Sequence, residues 1–559
     1  MARFRSAHAE RWRSDSGGVI VALSYWPADT SRPVLELTAG DALREAAADR
    51  PDRVAIVEVV PQGMASLVGA AATDRRWTYA ELLTEAENCA HWLLESYSPG
   101  ERICIWAPNV PEWVVVQYGA ALAGLVLVTA NPALRAGELR YVLRQSQAVG
   151  LIHADQFRGT DMAAIVRDVA NEVRETFCIA DWQATVRAKV RTGVLPAVYP
   201  GDPAQVQYTS GTTGEPKGAL LHHRGLVTNA SYVAARAGLD HGVFVSPLPL
   251  FHTAGSAMSV LGCVTTRSTY VLPLLFDPEL VLAAIERERG DLILGVPTML
   301  IALLEQQRKS PHDLSSLRTA LCGGAPVPVE LLRRVEEGLG CDLTPVYGQT
   351  ELSPIVCQTS PDDRLEDKAN SSGRPLWQVE VRVVDPNSGE TLPCGAEGEI
   401  QARGYQSMIG YFDMPKATAE TIEAEGWVRT GDLGTMDSRG YVQITGRLRD
   451  MIIRGGENIY PREIEAVLFA HAAVADVAVF GVPDAHWGEI VGAAVRATDP
   501  TSPPAVQELQ AHCRASLAPF KMPTEWFICS EFPLTGSGKV QKFKLREQLQ
   551  SGALARLGR

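Results

Sequence analysis

The stretch that most limits what this chain can fold into is Ala204–Gly218. Its apolar lead, Ala204-Gln205-Val206-Gln207-Tyr208, reads as a strand. Four hydroxyl side chains, three glycines and one lysine follow within ten residues, from Thr209 to Gly218. Gly211, Gly214 and Gly218 permit positive φ and let backbone approach a ligand closely. Thr209, Ser210, Thr212 and Thr213 offer O–H donors, and a turning backbone adds N–H donors, an array suited to phosphate oxygens. Lys217 supplies a point charge on a flexible stem, stiffened at its base by Pro216. A Ser/Gly linker is a poor reading, because apolar runs flank the loop on both sides, Ala219-Leu220-Leu221 being the second. A P-loop is excluded too: its glycine must precede the lysine, and here Pro216 does. Gly536-Ser537-Gly538-Lys539 also fails that pattern, since Val540 follows the lysine.

The length of 559 residues predicts two to four domains. No run approaches the roughly 18 apolar residues that span a bilayer. The charged N-terminus has no apolar core behind it and does not read as a secretory signal. Ten cysteines are scattered without a C-x-x-C pair, which fits free thiols of a reducing, cytoplasmic compartment. A net charge of −13 argues against a nucleic-acid partner. A polyanionic ligand must therefore meet locally placed cations. Among Lys539, Lys542, Lys544 and Arg546, all but Lys539 read as a solvated helix face.

Residues 1–35 read as irregular. A helix is predicted from Leu37 to Arg50, ending before Pro51, then a strand at Val54–Val57 and a long helix capped near Thr78. Arg102–Trp106 reads as a buried strand, followed by a helix from about Pro111 to Ala123 and a strand at Leu125–Thr129. Ala148–Ile152 and the 204–208 strand continue the alternation, which predicts α/β units on a mostly parallel sheet. Leu292–Thr298 reads as a strand ending at a turn, and Ala473–Gly481 as a short strand.

Further motifs follow in order: Pro247–Gly255 with His252 and Thr253, Cys322-Gly323-Gly324-Ala325-Pro326, Tyr347-Gly348-Gln349-Thr350-Glu351, Thr430-Gly431-Asp432, Gly446–Pro461, and Pro533–Lys542. Together with 204–218 they resemble the adenylate-forming superfamily, which holds acyl-CoA synthetases (acid:CoA ligases), carrier-protein adenylation domains and beetle luciferases. The resemblance runs over nearly the whole chain beyond the first few dozen residues. It implies a large N-terminal α/β domain with mostly parallel sheets, residues 1–448, and a small mobile C-terminal α+β domain, residues 449–559.

It also implies roles. Thr209, Ser210, Gly211, Thr212, Thr213, Gly214 and Lys217 would hold the phosphates of ATP. Gly323, Gly324 and Ala325 would flank adenine, and Tyr347 would stack on it. Thr350 would touch phosphate, and Glu351 would bind Mg²⁺, which takes one or two carboxylates plus phosphate oxygens and waters. Asp432 would accept from the ribose hydroxyls, and Arg447 would contact the nucleotide. Arg449 stands at the hinge, where relatives carry Asp or Lys. Gly455, Gly456 and Glu457 match the loop that reaches the site during thiol transfer, and Trp487 matches an aromatic that packs on CoA. Lys539 occupies the place of the catalytic lysine.

The implied reaction has two steps: a carboxylate attacks ATP to give acyl-adenylate and pyrophosphate, and CoA then displaces AMP. A carboxylic acid with a pKa near ~4.3 needs no general base. The implied acyl pocket is walled by His252, Thr253, Gly295, Val296, Val346, Gly348 and Ser353. It shows no charged anchor for an amine, and His252 stands where amino-acid-selecting relatives carry aspartate after the Phe. A lipophilic or aromatic acid is expected. Alternatives stay open: a carrier protein loaded in trans, a luciferase-like oxygenase, a non-catalytic nucleotide-binding member, and a homodimer.

Overall fold

A computed structural model describes residues 11–12, 21–61, 67, 74–209, 216–324, 327–448, 450–454, 457–484, 486–534 and 540–558. Two large sheets carry the N-terminal part. In the seven-stranded one, Glu175–Cys178, Gly150–His153, Arg102–Trp106, Val126–Thr129 and Pro203–Thr209 run parallel, and Lys217–His222 and Gly410–Tyr411 then add antiparallel. In the nine-stranded one, six parallel strands lie side by side: Asp342–Gly348, Thr319–Cys322, Leu292–Gly295, Val243–Val245, Thr269–Pro273 and Val54–Val59. Antiparallel strands close both of its edges. Helices cover these sheets, as the alternation of strands and helices requires.

A third, five-stranded sheet is antiparallel throughout, from Val442–Arg447 through Val428–Met436, Gly398–Gly404 and Val379–Val384 to Tyr25–Trp26. Residues 452–528 build a fourth sheet with apolar clusters of its own, one around Ile452, Ile464 and Val491 and another around Phe480 and Phe527. The fold is thus α/β with mixed, mostly parallel large sheets and a smaller α+β portion at the C-terminal end.

Local signals explain where elements begin. Thr38 and Thr78 each cap a helix, Ala39–Asp49 and Tyr79–Leu93, and Asp41 and Glu81 complete reciprocal capping boxes. Pro111 starts the helix Pro111–Leu122, buried along its whole length between layers. Three expectations change. Tyr25–Trp26 is not irregular but an edge strand of the third sheet. Pro297 does not merely end a strand; it is the first residue of the helix Pro297–Lys309. The strand expected at 473–481 runs on as Val474–Asp484, because Gly488–Ala497 pairs along it in a hairpin.

One buried ion cluster ties the layers together. Arg75 reaches Glu58 of the nine-stranded sheet through two bonds of 2.7 Å and also bonds Glu112 at the start of the buried helix. Glu112 is fully buried, so its charge relies on Arg75. Arg75→Met should leave that carboxylate unpaired and cost about 3–5 kcal/mol of stability. Urea unfolding followed by circular dichroism measures it, and a loss near zero would contradict this role.

Candidate active site

In open parallel sheets, ligands sit outside the carboxyl ends of the strands. The register here lines up several candidate residues at such an edge. Gly295 pairs with Cys322, and Cys322 pairs with Pro345, so Gly295, Gly323 and Val346 lie at or near the carboxyl ends of neighbouring strands. Gly323 has to be glycine: a Cβ would lie 2.5 Å from Val346 Cγ2. Gly324 turns with φ +79°. A Cβ on Gly348 would overlap the Pro354 carbonyl oxygen, so the strand can pass the next segment only there as glycine. Ser353, inside that same crossing, is buried with a left-handed φ of 61°.

The phosphate-type loop is carried by a hairpin. Thr209 pairs with Lys217 and Tyr208 with Gly218, so both loop ends lie side by side. A second strand follows the loop, not a helix, which separates it from a P-loop in structure as well as in sequence. Tyr141 donates to Pro216 O at 2.8 Å, and Tyr208 to Gln145 Oε1 at 2.6 Å, fixing both arms. Ser210, Gly211, Thr212, Thr213 and Gly214 lie outside the described residues, as do Ala325, Arg449, Gly455, Gly456 and Lys539. Of Glu457, only its backbone, in the strand Glu457–Ile459, is described.

Two clusters of charged groups form around these edges. In the first, Tyr347 donates to Asp432 Oδ2 at 2.9 Å, and Arg447 Nε meets Asp432 Oδ1 at 3.1 Å across paired strands. Burial first, and then the Asp432 charge, pushes the Tyr347 phenol well above its ordinary pKa, so it stays a donor. For Arg447 burial works against the charge, yet the Asp432 and Asp450 carboxylates raise its pKa on balance. In the second cluster, Glu351 sits in the turn Thr350–Leu352, buried together with Thr350. Tyr411, which the sequence reading missed, donates to Glu351 Oε1 at 2.7 Å, and Lys217 Nζ lies 5.0 Å from the centre of the Tyr411 ring. Burial, then the charge of Glu351, raises the Tyr411 pKa and keeps the phenol protonated. No short spacing in the sequence joins Gly410-Tyr411 to either partner.

Among the described residues no group of three or more His, Cys, Asp or Glu could cage a metal ion. A lone buried carboxylate instead fits an ion that takes most of its ligands from phosphate and water. His252 is half-buried and accepts from Ala254 N at 3.1 Å. Thr253 is fully buried, and its hydroxyl finds no partner among the described residues. Val296 and Val346 are apolar and buried. Trp487 lies in the turn between the hairpin strands of the fourth sheet, 43% exposed, with the Arg454 guanidinium 4.9 Å from its ring centre. Arg462, from the helix Pro461–Phe469, reaches back to donate to Ile444 O, and burial brings its pKa down to about 10.

A family model described as AMP-binding enzyme matches residues 43–412, and one described as AMP-binding enzyme C-terminal domain matches 463–539. The chain belongs to the AMP-binding enzyme family. This AMP-binding enzyme is 38% identical to the putative acyl-CoA synthetase YngI of Bacillus subtilis (strain 168), over 92% of the chain and 97% of that protein. It is 34% identical to the mitochondrial medium-chain acyl-CoA ligase ACSF2 of Homo sapiens, over 95% of the chain and 90% of that protein. A solved structure of the o-succinylbenzoate-CoA synthetase MenE from Bacillus subtilis, in complex with ATP and magnesium ion, superposes with a TM-score of 0.78. It is 29% identical and covers 92% of this chain and all of that one. Gly348→Ala should displace the 350–352 turn, and a shift near 1 Å slows adenylate formation by about 100-fold. ATP–pyrophosphate exchange is the measurement, and parent-like exchange would refute this role for the glycine.

Proposed function

We propose that the chain is an AMP-forming acid:CoA ligase that takes a lipophilic or aromatic carboxylic acid and uses ATP, Mg²⁺ and CoA. The observation that carries this reading is the convergence of the two charged clusters beside the phosphate-type hairpin. Asp432 offers acceptor oxygens for a diol. Lys217 offers a cation with no ion-pair partner among the described residues. Glu351 offers a carboxylate whose second oxygen takes no hydrogen bond from a described residue. Bound at Glu351 with the phosphates, Mg²⁺ would supply Lewis acidity toward the phosphoryl oxygens.

In the first step a carboxylate oxygen of the acid attacks the α-phosphorus, and the bond to pyrophosphate breaks. The barrier lies in bringing two anions together, so the residues that matter are cations and aimed N–H donors. Lys217, Lys539 and the 210–215 loop take that part, acting where charge develops. Tyr347 and Arg447 hold Asp432 in place at the ribose. In the second step the CoA sulfur attacks the acyl carbon, and AMP leaves with the electron pair. Lys539 and the Gly455–Glu457 loop both belong to the small domain, 449–559, and take turns at one catalytic position by a swing about Arg449.

The acyl-pocket walls Val296 and Val346 are apolar and buried, with no carboxylate among the proposed walls to hold an α-amine. The medium-chain acids in the name of the human relative agree with a lipophilic substrate. The same names favour CoA over a carrier-protein thiol as acceptor. The free cysteines, all ten unpaired, fit a reducing compartment, and we assign the cytoplasm. No described helix is long and apolar enough to cross a membrane.

Two measurements test this reading. A screen of carboxylic acids with ATP and CoA, with acyl-CoA read by mass, should find aliphatic or aromatic acids ahead of every free amino acid; an amino acid as the best substrate overturns the substrate class. Lys539→Ala should abolish adenylate formation yet spare thioester formation from synthetic acyl-adenylate and CoA. Equal loss of both half-reactions would make the lysine structural and end the alternating account.

A further inference from the structure

We propose that Tyr411 is a positioning residue that holds Lys217 and Glu351 on opposite duties, aiming the carboxylate and keeping the ammonium from pairing with it. The proposal rests on the reading of Glu351 as the metal-binding carboxylate. Opposite charges facing one small region attract and tend to collapse into an ion pair. Here the strand Lys217–His222 packs against the Thr350–Leu352 turn, yet Lys217 makes no ion pair with Glu351. Tyr411 engages both. Its hydroxyl donates to Glu351 Oε1 at 2.7 Å, and its ring centre lies 5.0 Å from Lys217 Nζ, a cation–π contact.

The placement follows from backbone pairing. Tyr411 stands opposite Ala219, and side chains two apart on a strand share a face, so Tyr411 is the diagonal neighbour of Lys217. Gly410 pairs with Leu220, and Phe412 N donates to Gly218 O at 2.8 Å, which locks the register.

The bond from Phe412 N to Gly218 O is part of a longer tie: Met408 N donates to Glu351 O at 2.9 Å, and Tyr411 N donates to Thr418 Oγ1 at 2.9 Å. The segment 408–412 is therefore fastened to the carboxylate's turn at one end and to the lysine's strand at the other. Tyr411 itself is buried. A rigid, protonated phenol between the two charges gives the carboxylate one fixed hydrogen bond and leaves its other oxygen for a metal ion. Groups that orient a metal ligand in this way change metal affinity by about 10–100-fold.

Equilibrium binding of Mn²⁺ in the presence of ATP, without any acid, followed by electron paramagnetic resonance, tests the assignment in Tyr411→Phe, Tyr411→Leu and Glu351→Gln. Tyr411→Phe keeps the ring and loses the hydroxyl. It should weaken Mn²⁺ binding by about tenfold, leave ATP affinity without metal unchanged, and recover parent kcat at saturating Mg²⁺. Tyr411→Leu also loses the ring, so Lys217 falls onto Glu351 and metal-free ATP affinity drops as well. If Glu351→Gln loses Mn²⁺ affinity while Tyr411→Phe keeps it to within about twofold, the role of Tyr411 is refuted and the metal reading stands. If Glu351→Gln also keeps it, the metal reading fails, and this proposal fails with it. Parent-like metal-free ATP affinity in Tyr411→Leu refutes the part given to the ring; should that variant not fold, Tyr411→Met takes its place, and Tyr411→Phe decides the part given to the hydroxyl.

Discussion

The hydrogen bond from Tyr347 to Asp432 is the joint on which the rest of the site depends. Tyr347 lies near the carboxyl end of a strand of the nine-stranded sheet, and Asp432 lies in the antiparallel sheet. A buried carboxylate is costly unless its oxygens are satisfied. Asp432 meets that condition only when both sheets are in place, with Arg447 arriving from the neighbouring strand. The contact between Tyr347 and Asp432 therefore forms only when the two sheets are packed together.

The chain is acidic overall, at −13, yet its proposed ligand is a polyanion. Lys217 and Arg447, two of the described cations near the site, are committed differently. Arg447 is largely neutralised by Asp432, so it works as a brace. Lys217 rests on a ring face, which attracts a cation without cancelling its charge. That difference leaves one cation bound to a carboxylate while the other keeps its charge uncancelled. It also explains why the net charge of a protein says little about a local anion site.

Elements with local signals were legible in the sequence. The strand Arg102–Trp106 carries the apolar run that starts at Ile103 and is closed by Pro108, and the helix Tyr79–Leu93 begins where Thr78 can cap it. The motif residues Tyr347, Glu351, Asp432 and Arg447 were named through a resemblance and not through spacing. What stayed hidden depends on pairing between distant segments. Tyr25–Trp26 is a strand only because Val381 and Arg382 lie beside it. Tyr411 joins Lys217 and Glu351 only through a sheet edge that brings residues 219 and 411 together. Pro297 misled for a different reason: the same residue ends a strand and opens a helix, and its fixed φ serves both.

Arg462 gives the join between the two ends of the chain a mechanical character. Its bond to Ile444 O spans a separation of 18 residues and so closes a ring around position 449. Inside a closed ring, a change of one backbone dihedral must be matched by others, so a single pivot cannot turn alone while the bond persists. The strand Val442–Arg447 and the helix Pro461–Phe469 are thus tied to each other across the stretch between them.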